Sequence, residues 1–236
     1  MKKINVLLAG LLFSVALHAQ INDPNAQVRE AKNFHAISVS SAFDVYLTQG
    51  NEEKVAVSAI ETKYLEYIIV EVRNGMLEVG WDHRKGRMAK GNKKLKAYIS
   101  FKNIDKLEAH GACDVNIIGA LKSGDMKIVL TGASDLEGKV EADKLIFDMS
   151  GASDAKVTGS ASRLDIEASG ASSFKGFEFV TDICNAGASG ASDIKVTVNK
   201  EISADASGAS DIHYKGNGVS RSVKTSGASS VSKSGS

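Results

Sequence analysis

A four-residue motif, Gly-Ala-Ser-Asp or a close variant, occurs seven times from residue 111 onward. We call it the corner motif, and its copies begin at Gly111, Gly132, Gly151, Gly170, Gly190, Gly208 and Gly227. Successive copies lie 18 to 21 residues apart. Self-similarity at a short period predicts a solenoid, in which each repeat forms one coil stacked on the previous one. Several coils must stack, because one coil cannot bury its own apolar face.

Apolar and polar residues alternate on both sides of each corner motif, as in the run Leu164-Asp165-Ile166-Glu167-Ala168. A period of two predicts strands with one buried face, whereas a helix requires apolar residues three and four apart. The glycine permits a positive φ or a close backbone approach at the corner. We therefore predict an all-β fold, a single-stranded, right-handed parallel β-helix with coils of about 19 residues and an irregular, strand-rich N-terminal half.

The chain begins with the features of a secretory signal peptide. Lys2 and Lys3 precede an apolar run, and Ala19 offers a small residue for cleavage, which predicts export to the periplasm, the outer surface or the medium. The remaining segments are a polar lead (20–33), an irregular β part that caps the solenoid (34–110), the repetitive coils (111–230) and a polar tail (231–236). No other stretch can span a bilayer, and a net charge of +1 does not favour nucleic acid.

The chain also resembles a known family. The segments FHAISVSSAFDVYLTQG, VAVSA and VRNGMLEV, followed by the corner motifs, are similar to the head GIN domain family. The resemblance runs from about Phe34 to Ser230, although many relatives carry Gly-Ser-Gly-Asp at the corner. It implies a β-helical fold and an envelope or extracellular location, since family members are secreted bacterial proteins described as autotransporter adhesins. It brings no catalytic residues.

The last position of the corner motif forms a row of carboxylates. The row contains Asp114, Asp135, Asp154, Asp193 and Asp211, and serines interrupt it. Carboxylates about 5 Å apart repel each other by roughly 1 kcal/mol in water, and Ca²⁺ could relieve this repulsion. Lysines two residues further on share the same strand face and can neutralise the row, and aspartate is also favoured in turns. We favour the structural interpretation and predict no metal site, while Ca²⁺ binding by the row stays open.

A basic segment separates two predicted strands. Between residues 84 and 96 it contains cations and no acid, and it lies next to Trp81, His83 and Tyr98. The candidate binding residues are Trp81, His83, Arg84, Lys85, Arg87, Lys90, Lys93, Lys94 and Lys96. Cations beside an aromatic ring suit anionic glycans, lipid head groups or phosphate. The alternative is a solvated loop without a ligand, because charge runs are commonly exposed.

Neither the cysteines nor the histidines indicate catalysis. Cys113 and Cys184 lie more than three coils apart, which is roughly 15 Å along the axis and beyond the ~7 Å reach of a disulfide. We therefore predict two free thiols. The histidines show no metal-ligand spacing, no nucleophile elbow is present, and the coils carry no long insertion that could build a cleft. We expect no enzyme activity and no cofactor.

The predicted function is that of a secreted, non-enzymatic protein in adhesion or ligand binding. The expected partner is an anionic glycan or another molecule of the envelope or of a host surface, contacted by the basic segment. The first alternative is a structural envelope protein that self-assembles into a homo-oligomer, with coil ends or strand edges pairing between molecules. The second alternative is a polysaccharide-degrading β-helix enzyme.

Overall fold

The computed structural model describes residues 23–85 and 93–235, so the predicted signal peptide (1–19) lies outside the described residues. The chain is nearly all β, with 70% strand and 3% helix. It forms a β-solenoid of about seven turns with coils of about 19 residues. The predicted all-β parallel β-helix is therefore confirmed.

The described chain contains sixteen strands and a short 3₁₀ helix, η1 (Thr62–Tyr67), between β4 and β5. The strands are β1 (Gln27–Arg29), β2 (Ala36–Ser41), β3 (Phe43–Gln49), β4 (Lys54–Ser58), β5 (Ile68–Arg73), β6 (Met76–Trp81), β7 (Leu95–Phe101), β8 (Lys106–Gly111), β9 (Asp114–Gly132), β10 (Asp135–Met149), β11 (Asp154–Ala168), β12 (Ser173–Ala188), β13 (Asp193–Gly208), β14 (Asp211–Lys215), β15 (Val219–Gly227) and β16 (Ser230–Lys233). Strands β9 to β13 are long because each follows the solenoid around most of one turn.

Like residues stack on like along the repetitive coils. Strands β9 to β13 pair in parallel, and the register places Asp135 beside Asp154 and Leu145 beside Leu164. The third segment of each coil, around Gly159, is also part of a ladder, because Gly159 pairs with Val140 on one side and with Phe179 on the other.

The N-terminal half contributes two coils to the same stack, but not in chain order. Strand β2 pairs with β6 and β8, and β3 pairs with β7 and β9, so the β2–β3 coil is inserted between the β6–β7 and β8–β9 coils. Antiparallel strands then cover the end: β5 lies on β6, β4 lies on β7, and β1 lies on β4. The β5–β6 hairpin turns at Asn74-Gly75, as the sequence predicts.

Each corner is built by a glycine with positive φ, between +76° and +93°. The next residue, alanine, donates its backbone N–H to the carbonyl oxygen of the corner residue one coil earlier, as from Ala152 to Gly132 at 2.7 Å. The buried corner serine donates its hydroxyl to the carbonyl three residues before it, as from Ser153 to Ser150 at 3.1 Å. A Cβ on Gly151 would lie less than 3.0 Å from the Gly132 carbonyl oxygen.

Side chains of the core fill the interior of the stack, and large side chains in some coils are balanced by small ones in neighbouring coils. Phe147 lies in one row with Ile166, Ala186 and Ala204, so the bulk of the phenylalanine is balanced by the alanines of later coils. Its ring packs edge-on against Phe174 from the opposite wall, with 5.1 Å between centroids. This interior is continuous through the N-terminal coils.

Both cysteines are buried and free. Burial raises the pKa of the Cys184 thiol to about 12, and burial also raises the pKa of Cys113. Cys113 takes the place of the corner serine, and its Sγ lies 3.4 Å from the carbonyl oxygen of His110. Both thiols are therefore protonated at neutral pH and inaccessible to solvent. Within residues 23–85 and 93–235, no helix has the length and apolar character that a membrane crossing requires.

Candidate functional site

The basic segment is an insertion at the corner of a coil. In the β2–β3 coil a single residue, Ala42, separates the two strands, and the corner motif supplies two between β8 and β9. In the β6–β7 coil thirteen residues, 82–94, separate strands that occupy the same two walls. We call residues 82–94 the corner loop. Insertions on one side of a solenoid are frequent binding surfaces, and this one lies at the N-terminal end of the corner edge.

The base of the corner loop is fixed to η1 and to the residues just before it. Asp82 donates its backbone N–H to the Tyr67 carbonyl at 2.7 Å, and the Lys93 carbonyl accepts from the N–H of Ile60 at 2.8 Å. The buried Asp82 carboxylate accepts bonds from the Arg84 backbone N–H and guanidinium, each at 3.0 Å. Hydrogen bonding from Arg84 lowers the pKa of Asp82 below its usual range. The loop therefore leaves and enters the solenoid at defined points.

At the base of the corner loop, Lys93 packs with a cluster of aromatic rings. The Tyr67 ring stacks on Trp81 with 5.0 Å between centroids, and Tyr64 is tilted against Trp81 at 6.3 Å. The Lys93 ammonium lies 5.4 Å from the centroid of Tyr64 and 6.0 Å from that of Trp81. Trp81 and Lys93 are each only 5% exposed, so these two candidate binding residues support the loop from inside.

The half-buried Tyr64 and Tyr67 were missed by the sequence analysis. Their spacing of three residues, within what the structure shows to be the helix η1, is the signal that could have indicated them. Residues three apart lie on the same side of a helical turn, and here both rings meet Trp81.

The other candidate residues occupy several different positions. His83, Arg84 and Lys85 are exposed, and the Lys85 ammonium donates to the Glu66 carbonyl at 3.1 Å. Arg87 and Lys90 lie outside the described residues. Lys94 belongs to the loop, whereas Lys96 is on β7, with its Nζ 3.9 Å from Asp23 Oδ2. The basic segment thus combines a buried base, exposed cations and one strand residue.

The acidic row is longer than the sequence suggested, because Asp44 lies beside Asp114 in register. The signal was present in the run Ser41-Ala42-Phe43-Asp44, which is a degenerate corner motif. Ser41 adopts the same left-handed conformation as the corner glycines, with φ at +86°. In the register of β3 and β7, Lys96 lies beside Asp44 and ends the row.

Lysines neutralise part of this row, as their shared strand face predicts. The Lys175 ammonium lies 3.0 Å from Asp154, and that of Lys195 lies 2.6 Å from Asp193. At Asp114 partial burial and the neighbouring carboxylates of Asp44 and Asp135 raise the pKa. Among the described residues, no group of three or more His, Cys, Asp or Glu side chains is placed to hold a metal ion.

We expect Asp114→Asn to raise the free energy of unfolding at pH 7, by less than about 1 kcal/mol for each of its two contacts with like charges, Asp44 and Asp135. Because folding raises this pKa above its ordinary value of 3.8, stability is lost as pH rises through the window between the two values. The gain in unfolding free energy should therefore disappear near pH 3. Urea unfolding of both proteins at pH 7 and at pH 3 would measure it. Asp154→Asn is the control, since it loses the Lys175 ion pair and should show no gain.

Comparisons with known proteins agree with the fold. A "putative adhesin" from Bacteroides fragilis is 20% identical, with a TM-score of 0.81 over 88% of this chain and 95% of that one. A "putative lipid binding protein" from Parabacteroides distasonis is 21% identical, with a TM-score of 0.69 over 91% and 98%. A "putative adhesin" from Parabacteroides merdae is 19% identical, with a TM-score of 0.68 over 89% and 95%. At these identities the likeness shows the fold alone. No curated protein matches the sequence.

The fold is a capped β-solenoid with an insertion at one corner, and its structural relatives include proteins named as adhesins. The profile of the family described as "Putative auto-transporter adhesin, head GIN domain" matches residues 33–218. The chain belongs to this family, which confirms the resemblance found in its sequence.

Proposed function

We propose that this protein is a secreted adhesin that binds an anionic glycan at the cell envelope through the corner loop. The observation that carries the proposal is the thirteen-residue insertion at a corner that the other coils close with one to four residues. After Asp82 the loop contains cations and no acid. The amino-terminal signal sequence, residues 1–19, supports export.

The way the loop is held suits multivalent binding of a polymer. Exposed cations such as Arg84 and Lys85 lie beside the base of the loop, which hydrogen bonds of Asp82, Tyr67 and Lys93 hold to the solenoid. The loop therefore loses less conformational entropy when a ligand binds. Several cations on one loop favour a ligand with repeated negative charges over a small neutral one. The stacked coils hold this loop at the end of a rigid body.

The test is binding of residues 20–236 to an array of sulfated and uronate-containing glycans at low and high salt. A triple variant, Lys85→Ser, Arg87→Ser and Lys90→Ser, should bind at least about tenfold more weakly, from about 0.5 kcal/mol for each lost contact. The substitutions avoid Trp81 and Lys93, which are buried. Binding should also weaken with salt, since exposed charges are screened.

The control removes the same charge elsewhere, by Lys102→Ser, Lys139→Ser and Lys200→Ser on exposed positions. Equal loss in both variants would show that overall charge and not the corner loop binds the glycan, and unchanged binding in the loop variant would move the site elsewhere. Because one structural relative is named a lipid binding protein, vesicles containing phosphatidylglycerol form a second arm. If the protein binds the vesicles more tightly than the glycans, the ligand is an anionic lipid and not an anionic glycan.

A further inference from the structure

The last coil of the stack, β15 and β16, has an open outer edge. Among residues 23–85 and 93–235, strand β15 pairs only with β13, and β16 pairs only with β14. Every residue of β15 is exposed, including Val219 at 63% and Val223 at 48%. Within the part of the chain that the structure describes, no strand covers this edge. Its backbone N–H and C=O groups can therefore bond to an added strand.

The opposite end of the same solenoid shows how such an edge is covered. There β5 adds to β6 along Ile68–Arg73, and β4 adds to β7, both antiparallel to the coil. An end coil of this fold thus accepts an antiparallel strand with a full ladder. A segment added to β15 would occupy the place that β5 occupies on β6.

The open edge is also basic. From residue 212 to residue 235 the chain contains no Asp or Glu. In earlier coils cations bond to an acid of the adjacent coil, as Lys127 does to Asp148 at 2.6 Å and Lys122 to Glu141 at 3.0 Å. Neither Lys224 nor Lys233 forms an ion pair within the described residues. The lysines of the last coil therefore have no acidic partners of the kind that an adjacent coil provides elsewhere in the stack.

We propose that the β15–β16 edge binds an extended acidic segment of a partner polypeptide by strand addition. Lys224, in the outward-facing row above Asp205, would meet a carboxylate of the partner. Val223 and Thr225 continue the inward rows of Ala204 and Ala206, and they would meet small apolar side chains. The fitting sequence thus alternates acidic and small apolar residues, at the period of a strand.

A second copy of this chain is a poor occupant of the same edge. Two basic edges repel each other, which is a common protection of edge strands against self-pairing. The free edge at the other end, β5, carries a single acid, Glu71, and this side chain already pairs with Arg73. Charge complementarity therefore favours an acidic partner.

The experiment measures fluorescence anisotropy of a labelled eight-residue peptide of alternating valine and glutamate with residues 20–236. We expect saturable binding that Lys224→Glu with Lys233→Glu weakens at least about tenfold, because two exposed attractions become repulsions of similar size. The control, Lys102→Glu with Lys139→Glu, makes the same charge change on other exposed positions and should leave binding unchanged. Bound peptide should also slow hydrogen exchange of the β15 amides.

Three results would overturn the proposal. Equal weakening by the control pair would show unspecific attraction to a basic surface. A peptide N-methylated at every second residue cannot form the backbone ladder. If it binds as tightly as the unmodified peptide, the edge attracts negative charge alone, as it would that of an anionic glycan or lipid. Protection of β15 amides by raised protein concentration alone would identify a second copy as the occupant.

Discussion

Gly151→Ala should lower the free energy of unfolding by about 3 kcal/mol or more. Two effects add at this corner. A left-handed conformation costs an alanine about 1–2 kcal/mol, and φ here is +84°. The added Cβ also overlaps the Gly132 carbonyl oxygen, which accepts the N–H of Ala152, so the coils must separate where they bond. Urea unfolding followed by far-UV circular dichroism measures the loss.

Two other glycines of the same chain separate these effects. Gly119 has a similar φ of +83°, but nothing lies within 4 Å of its added Cβ, so Gly119→Ala should cost only about 1–2 kcal/mol. Gly124 has no positive φ, and its Cβ would meet only Asp143 at 3.7 Å, so Gly124→Ala should be neutral or slightly stabilising. If Gly151→Ala cost no more than Gly119→Ala, close coil stacking would not be what requires glycine at the corner.

The repetitive coils could be predicted from the sequence because the residues that determine their structure lie close together in the chain and recur in every coil. The corner glycine, the buried serine and the alternating strand residues recur in each coil, so register and burial follow from spacing alone. Even the degenerate corner at Ser41 to Asp44 carried this pattern, in a form weak enough to be overlooked.

The N-terminal half could not be predicted to the same depth, because its order depends on contacts far apart in the chain. Nothing in the local pattern of β2 and β3 indicates that they lie between β6–β7 and β8–β9. Without that order, the corner loop looked like a connection between two strands and not like a corner insertion. The sequence also grouped Lys93 with the exposed cations, whereas ring contacts with Tyr64 and Trp81 place it inside.

Phe174→Ala should lower the free energy of unfolding by about 3–5 kcal/mol, the usual cost of removing a fully buried phenylalanine. Its ring spans the interior and meets Phe147 edge-on, so the cavity lies between two walls that both belong to continuous ladders. Collapse of one wall would stretch the hydrogen bonds to both neighbouring coils, and little relaxation is therefore available. Urea unfolding measures the loss of free energy. Faster amide hydrogen exchange in β11 and β13 would show that the destabilisation reaches both neighbouring coils.

The matched control is Phe177→Ala, three residues along the same strand. Phe177 is half-buried, with its ring 4.6 Å from the Lys215 ammonium, so its removal should cost about 1 kcal/mol or less. A double-mutant cycle with Phe147→Ala isolates the edge-on ring contact, expected at about 0.5–1.5 kcal/mol. Similar losses for Phe174→Ala and Phe177→Ala would contradict a close-packed interior. The corner hydrogen bonds alone would then have to account for the rigidity on which presentation of the corner loop depends.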